Sequence, residues 1–440
     1  MSNYGILNAL ARFSREPGNT GRHFALAALF ALAAGLAACG GGGGSSGSSS
    51  SSSTSSNSGD TSSLPAGPTQ QPIAATAANT VAVTVNSGVT NSMPNIPTVS
   101  VTVCVANTST CQTIGNVQVD TGSYGLRVLN SALNSTMQGA LPKVTSGTST
   151  LAECTAFADG YTWGTVRTAD VKISGETASA IPIQVIGDLA TSTVPQVCSN
   201  IGAAQNTTSA LGANGILGIG VAPWDCGANC VTAGNSNYFA CPNGTNCSQT
   251  AVALKQQVAN PVAHFATDNN GVILQMPPVS NSGQATATGT LVFGIGTQSN
   301  NTMAASQRFT TTAWGDLSTT FNSRSLTAFL DSGSNGIFFA DSAIAQCGGN
   351  LGSFYCPSTA LTFTTTLVDQ NNDSGSITFN VVNASALLGN SSFFAFNDLA
   401  GQFGSNSSLD LGLPFFYGRY VYYGIDQTAT GGTQTPYVAF

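Results

Sequence analysis

Two short segments of the chain, 211 residues apart, carry the residue types that hydrolytic chemistry needs. Asp120-Thr121-Gly122-Ser123-Tyr124-Gly125-Leu126-Arg127-Val128 and Asp331-Ser332-Gly333-Ser334-Asn335-Gly336-Ile337-Phe338-Phe339 share Asp, Gly, Ser and Gly at identical offsets. An apolar stretch precedes each (residues 117–119 and 328–330), and a Ser-Ala pair follows eleven residues after each Asp (Ser131-Ala132, Ser342-Ala343). One such triplet is an ordinary turn, in which Asp caps its own backbone and Gly supplies positive φ. Two copies, each leaving one apolar strand and entering another, form an internal repeat. The chemistry that a repeat of this kind offers is a pair of carboxylates around one water. Held close together they cannot both ionise, so one keeps a proton and the other acts as a base.

Composition removes the competing chemistries. Only 7% of the 440 residues are charged, against roughly 25% in ordinary soluble domains. Arg12, Arg15 and Arg22 precede an uncharged apolar stretch, residues 24–38, the layout of a secretory leader and too short to span a bilayer. The stretch ends Leu36-Ala37-Ala38-Cys39 and runs into residues 40–63, almost entirely Gly and Ser, a flexible tether. Removing the leader takes away those three arginines, Glu16 and His23, which leaves 8 basic and 17 acidic residues and a net charge of −9. That balance excludes nucleic acid as a partner, since neutralising phosphates takes clustered cations. The one remaining histidine, His264, excludes a multi-histidine zinc site and reads as a partly buried structural residue. Gly215-x2-Gly218-x-Gly220 lacks the spacing of a nucleotide loop, and neither a metal nor a cofactor is expected.

With Cys39 set aside, ten cysteines remain: Cys104, Cys111, Cys154, Cys198, Cys226, Cys230, Cys241, Cys247, Cys347 and Cys356. An even number in an exported chain reads as five disulfides of open connectivity. Cys104 with Cys111 and Cys347 with Cys356 are the plainest pairs. Cys226-x3-Cys230 and Cys241-x5-Cys247 read as a stapled loop rather than a metal knuckle.

Length alone suggests two or three domains. Residues 80–85, 98–103, 181–186 and 376–382 alternate and are rich in β-branched types, bounded by Gly, Asn, Pro and Ser, which predicts strands. Helix is expected only over residues 130–138 and 250–258, with a turn near 341–346. The fold class is mostly β.

The two loops resemble the active-site loops of pepsin-like aspartic peptidases, which carry one Asp-Thr-Gly-Ser/Thr in each of two lobes. Asn214-Gly215-Ile216-Leu217-Gly218-Ile219-Gly220 and Leu409-Asp410-Leu411-Gly412-Leu413-Pro414-Phe415-Phe416 resemble the apolar-apolar-Gly segments that run behind the aspartates. Thr288-Gly289-Thr290-Leu291-Val292-Phe293-Gly294 resembles the strand entering the second lobe, and residues 419–440 the C-terminal hairpin. Leu36-Ala37-Ala38-Cys39 resembles a bacterial lipobox, and the chain as a whole is similar to a group of proteobacterial lipoproteins known as a domain of unknown function. The resemblance implies a bilobal double-ψ β-barrel architecture. Residues 1–38 would be the leader, 39–79 a lipidated Cys39 and its tether, 80–260 the first lobe and 261–440 the second.

It further implies that Asp120 and Asp331 activate the water and that Gly122 and Gly333 aim N–H groups at them. Thr121 and Ser332 would bridge the loops, while Ser123 and Ser334 would bond the outer carboxylate oxygens and favour an acidic working range. Two departures stand out. Arg127 occupies the usual place of a Trp, and residues 157–166 replace the family's flap, with Tyr161 or Trp163 the candidates to reach over the cleft from a hairpin about Asp159-Gly160. The main reading is a membrane-tethered aspartic endopeptidase of the bacterial cell envelope, monomeric, lipid-anchored at the outer membrane on its periplasmic or surface face, and acting on polypeptide in the interlobe cleft. The alternatives are a catalytically silent relative binding peptide or glycan, and a structural β-rich lipoprotein whose repeated turns are only turns.

Overall fold

The computed structural model describes residue 61 and residues 64–440; Cys39, the leader and most of the Ser/Gly tether lie outside the described residues. Strands dominate. One sheet holds seventeen of them and a second holds seven, with only short helices such as Ser135–Ala140 and Leu413–Phe416 between them. The expected strands form as Thr80–Val85, Pro97–Cys104, Glu176–Ile186 and Ser374–Val381. Residues 250–258 are not a helix; a single 3-10 turn, Leu254–Gln256, forms instead. Long-range partners take the backbone groups that a helix would need. Val252 N–H donates to the Cys230 carbonyl and Val258 N–H to the Tyr238 hydroxyl.

The two halves of the repeat fold alike. Gly215–Ile219 lies parallel to the first aspartate strand, Cys111–Asp120, and antiparallel to the strand that leaves the loop, Tyr124–Leu129. Ser408–Gly412 does the same between Arg324–Asp331 and Ile337–Phe339. Each Asp therefore sits at a strand end opposite a glycine, Asp120 against Gly218 and Asp331 against Gly412. A Cβ at Gly218 would meet the Tyr124 nitrogen at 2.6 Å, and one at Gly412 would collide with the Gly336 carbonyl. Only glycine lets the backbone pass so close.

The sheets divide the chain differently from a cut at residue 260. Thr80–Val85 pairs along its whole length with Ala287–Phe293, and Gly271–Gln275 bridges that strand to Tyr420–Gly424. Strands from beyond residue 261 thus complete the sheet begun by the first half, and the seven-stranded sheet is confined to residues 317–412. Its hairpin of Leu361–Val368 and Ser374–Val381 shows how so few charges suffice. Phe363 and Phe379 pair across the strands and stack at 5.6 Å on the core side, while Thr364 and Thr378 join hydroxyls at 3.1 Å on the exposed side. The ten cysteines form five disulfides, Cys104–Cys111, Cys154–Cys198, Cys226–Cys230, Cys241–Cys247 and Cys347–Cys356.

Asp398 closes the end of that hairpin: its Oδ1 accepts from Asn380 at 3.1 Å and its carbonyl from Val382. Burial pushes its carboxyl up to about 6, against the pull of the Asn380 bond. A raised carboxyl opposes folding once the unfolded chain ionises. Stability should therefore fall by about 3 kcal/mol as pH rises from about 4 to 7. Asp398→Asn should flatten that slope by the same amount, read as urea midpoints at the two pH values; an unchanged slope contradicts it.

Candidate active site

The tips of the two aspartate loops are strapped to each other. Thr121 N–H donates to Ser332 Oγ at 3.2 Å, and Ser332 N–H donates to Thr121 Oγ1 at 2.8 Å. Each hydroxyl then donates across the dyad axis, Ser332 Oγ to the Val119 carbonyl at 2.8 Å and Thr121 Oγ1 to the Leu330 carbonyl at 3.4 Å. Gln118 adds an amide bond to the Gly333 carbonyl at 2.9 Å. The four groups at each crossing satisfy one another, as buried polar groups must.

This strapping sets the carboxylates face to face. Gly122 N–H donates to Asp120 Oδ1 and Gly333 N–H to Asp331 Oδ1, both at 2.8 Å. A Cβ placed on Gly333 would stand 2.7 Å from Asp120 Oδ1 and 3.1 Å from Asp331 Oδ1, so the two oxygens lie within about twice a hydrogen-bond length of each other. A Cβ on Gly122 would collide with the Asp331 carboxylate. Asp120 is 0% and Asp331 1% exposed.

Over residues 75–440 the chain matches the family described as "Protein of unknown function (DUF3443)". It belongs to that family. A search of curated proteins finds no match. Among solved structures, the aspartic proteinase from Irpex lacteus is similar at 17% identity with a TM-score of 0.44, over 82% of this chain and 97% of that one.

The DUF3443 chain treats its two outer serines differently. Ser123 Oγ donates to Asp120 Oδ2 at 2.5 Å. Ser334 Oγ stands 3.4 Å from Asp331 Oδ2 but 2.5 Å from Oδ2 of Asp410, a carboxylate that sequence reasoning passed over. The signal was present, since Asp410 interrupts an apolar run between Leu409 and Leu411.

Tyr161 and Trp163 do not reach over the dyad. The hairpin does turn at Ala158-Asp159, between Ser149–Phe157 and Gly160–Ile173. Both side chains, however, fill a satellite core with Phe239 and the Cys154–Cys198 disulfide. Trp163 packs edge-on to Phe239 at 5.5 Å and donates its indole N–H to Thr193 Oγ1 at 3.2 Å. An indole that finds both an aromatic partner and an acceptor in the interior has no reason to leave it. His264 is exposed on the turn Pro261–His264, its ring edge-on to Trp224.

Arg127 is buried beneath this hairpin. One of its terminal nitrogens bonds Glu153 at 2.7 Å and Asp225 at 3.2 Å. Its Nε bonds Thr155 at 3.1 Å, and its other terminal nitrogen bonds the Tyr124 carbonyl at 2.6 Å. The Tyr238 hydroxyl donates to Asp225 at 2.5 Å. Burial alone would lower the guanidinium, but Glu153 and Asp225 hold it above its ordinary value. Burial pushes the Glu153 carboxyl well above its ordinary range against the pull of Arg127, and Asp225 adds to the rise. The rise favours the protonated form of Glu153 beside the Arg127–Asp225 ion pair. Arg127 thereby ties the first aspartate loop to the hairpin strand that carries Glu153 and Thr155. Arg127→Met should cost about 3–5 kcal/mol by stranding the buried Asp225 carboxylate. Glu153→Gln, which copies the protonated acid, should stay within about 1 kcal/mol of the parent. Denaturant midpoints check both, and a Glu153→Gln loss as large as that of Arg127→Met refutes the charge state.

Proposed function

We propose that this protein is an aspartic endopeptidase of the pepsin-like type, hydrolysing peptide bonds by general acid and base catalysis. The observation that carries this reading is the pair of buried carboxylates, Asp120 and Asp331, brought to one point by loops bonded reciprocally through Thr121 and Ser332. In the reaction the ionised carboxylate takes a proton from a water as its oxygen attacks the peptide carbonyl. The protonated carboxyl donates to the carbonyl oxygen, forming a neutral tetrahedral diol. As the first proton passes to the nitrogen, a diol hydroxyl returns a proton to the other carboxylate and the C–N bond breaks, giving acid and amine and restoring the pair. Asp120→Asn or Asp331→Asn should lower kcat by at least about 10²–10⁴-fold. Wild type should cleave unfolded protein between about pH 3 and 6 and be blocked by a statine-type inhibitor. Equal behaviour of wild type and both variants sinks the peptidase reading.

A silent relative that binds peptide or glycan is the second reading. It is favoured by the packing of Tyr161 and Trp163 into a core rather than over the carboxylates. The same assay separates the two.

Cys39, which follows Leu36-Ala37-Ala38, supports a lipid anchor in the bacterial cell envelope, with residues 40–63 as the tether that holds a monomer off the membrane. Cys39→Ala should abolish incorporation of labelled fatty acid and move the protein from the membrane fraction to the soluble fraction; retention in the membrane excludes this anchor.

A further inference from the structure

The internal repeat shows what is peculiar to the second half. Through their pairings, Gly412 answers to Gly218 and so Asp410, two residues earlier, answers to Ile216. Ile216 is fully buried in an apolar cluster with Leu129, Ile186 and Leu211. The position therefore has no structural need of a charge. Asp410 is equally inaccessible, 0% exposed, between Phe329 on one neighbouring strand and Phe338 on the other. A carboxyl in such a place is costly unless it acts.

What it touches is the hydroxyl expected to serve Asp331. Ser334 has one proton to donate, and its Oγ stands 2.5 Å from Asp410 and 3.4 Å from Asp331, the latter beyond the normal O–H···O range. The Ser334 backbone is held, its N–H bonding the Asp331 carbonyl and its carbonyl accepting from Leu413 at 2.8 Å, so rotation of the side chain decides which carboxylate the hydroxyl serves. In the first half the matching Ser123 gives its proton to Asp120 at 2.5 Å. The two serine hydroxyls thus serve the ionised forms of the dyad unequally.

We propose that Asp410 is a positioning residue that, by drawing the Ser334 hydroxyl away from Asp331, keeps the shared proton on Asp331 and leaves Asp120 as the base. The titratable groups facing this chain of contacts are Asp120 from the first loop, Asp331 itself, and Tyr423, whose hydroxyl donates to the Leu330 carbonyl at 3.0 Å. The consequence is that Asp331 holds its proton to higher pH than Ser334 would otherwise permit, extending the working range towards neutrality. This inference rests on the peptidase reading for its kinetic form only.

The test compares wild type with Asp410→Ala, which removes the competing acceptor, and with Asp410→Ile, which restores the residue type of the first half. In both variants Ser334 is free to donate to Asp331, so the alkaline limb of the kcat/KM profile should move to lower pH by about one unit, with the acid limb unmoved. Selective ¹³C labelling of aspartate carboxyls reads the same quantity without turnover: the Asp331 resonance should titrate about one unit lower in both variants. A wild type that cleaves nothing overturns the peptidase reading, and the carboxyl titration still decides the role of Asp410. Identical Asp331 titration in all three full-length chains overturns that role, as does an upward shift. Should one variant fail to fold, the other gives the answer.

Discussion

Like charges do not gather unless something forces them to, and here the force is the reciprocal bonding of Thr121 and Ser332. Each side chain accepts from the backbone of the other loop and donates to a carbonyl beyond it. These bonds, two of them at 2.8 Å, cannot be traded for water in a dry interior without leaving buried donors unmade. The surrounding sheets make that arrangement rigid. Parallel strands bring Asp120 and Asp331 to equivalent ends, glycines at 218 and 412 let the neighbouring backbone through, and strands from beyond residue 261 complete the sheet that carries Asp120. The carboxylates thus stand at the ends of strands fixed in two different sheets, and the bonds between the loop tips hold them together.

Arg127, Glu153, Asp225 and Tyr238 form a buried cluster that satisfies most of its own polar groups and anchors the hairpin from below. From the other side the hairpin is held by the Cys154–Cys198 disulfide, by Trp163 against Phe239, and by the pairing of Gly160 and Tyr161 with Ala203 and Ala204. Such a hairpin is braced on both faces.

The β character, the even set of cysteines beyond Cys39 and the repeated Asp-Thr/Ser-Gly-Ser loops were all legible in the sequence. They are properties of local pattern: alternation with a period of two and short motifs with fixed turn chemistry. The strands near residues 80, 98, 181 and 376 form where alternation predicted them. The segment 250–258 failed as a helix because its backbone amides found partners across the fold, which no local window can register. Tyr161 and Trp163 were placed over the cleft for want of knowledge of residues 189–206, whose disulfide and Thr193 turn them inward.

The sequence by itself determined that two aspartates would stand at equivalent strand ends, since the same local motif folds the same way twice. It did not determine how those aspartates differ. That Ser123 serves Asp120 while Ser334 turns to Asp410, and that Arg127 finds Glu153 and Asp225 rather than the cleft, are contacts between residues 3 to 98 positions apart. Their energies depend on burial and on distances of tenths of an ångström, because an unpaired charge in a dry interior is costly and a hydrogen bond fades beyond about 3.2 Å. Only the packed tertiary structure sets those two quantities.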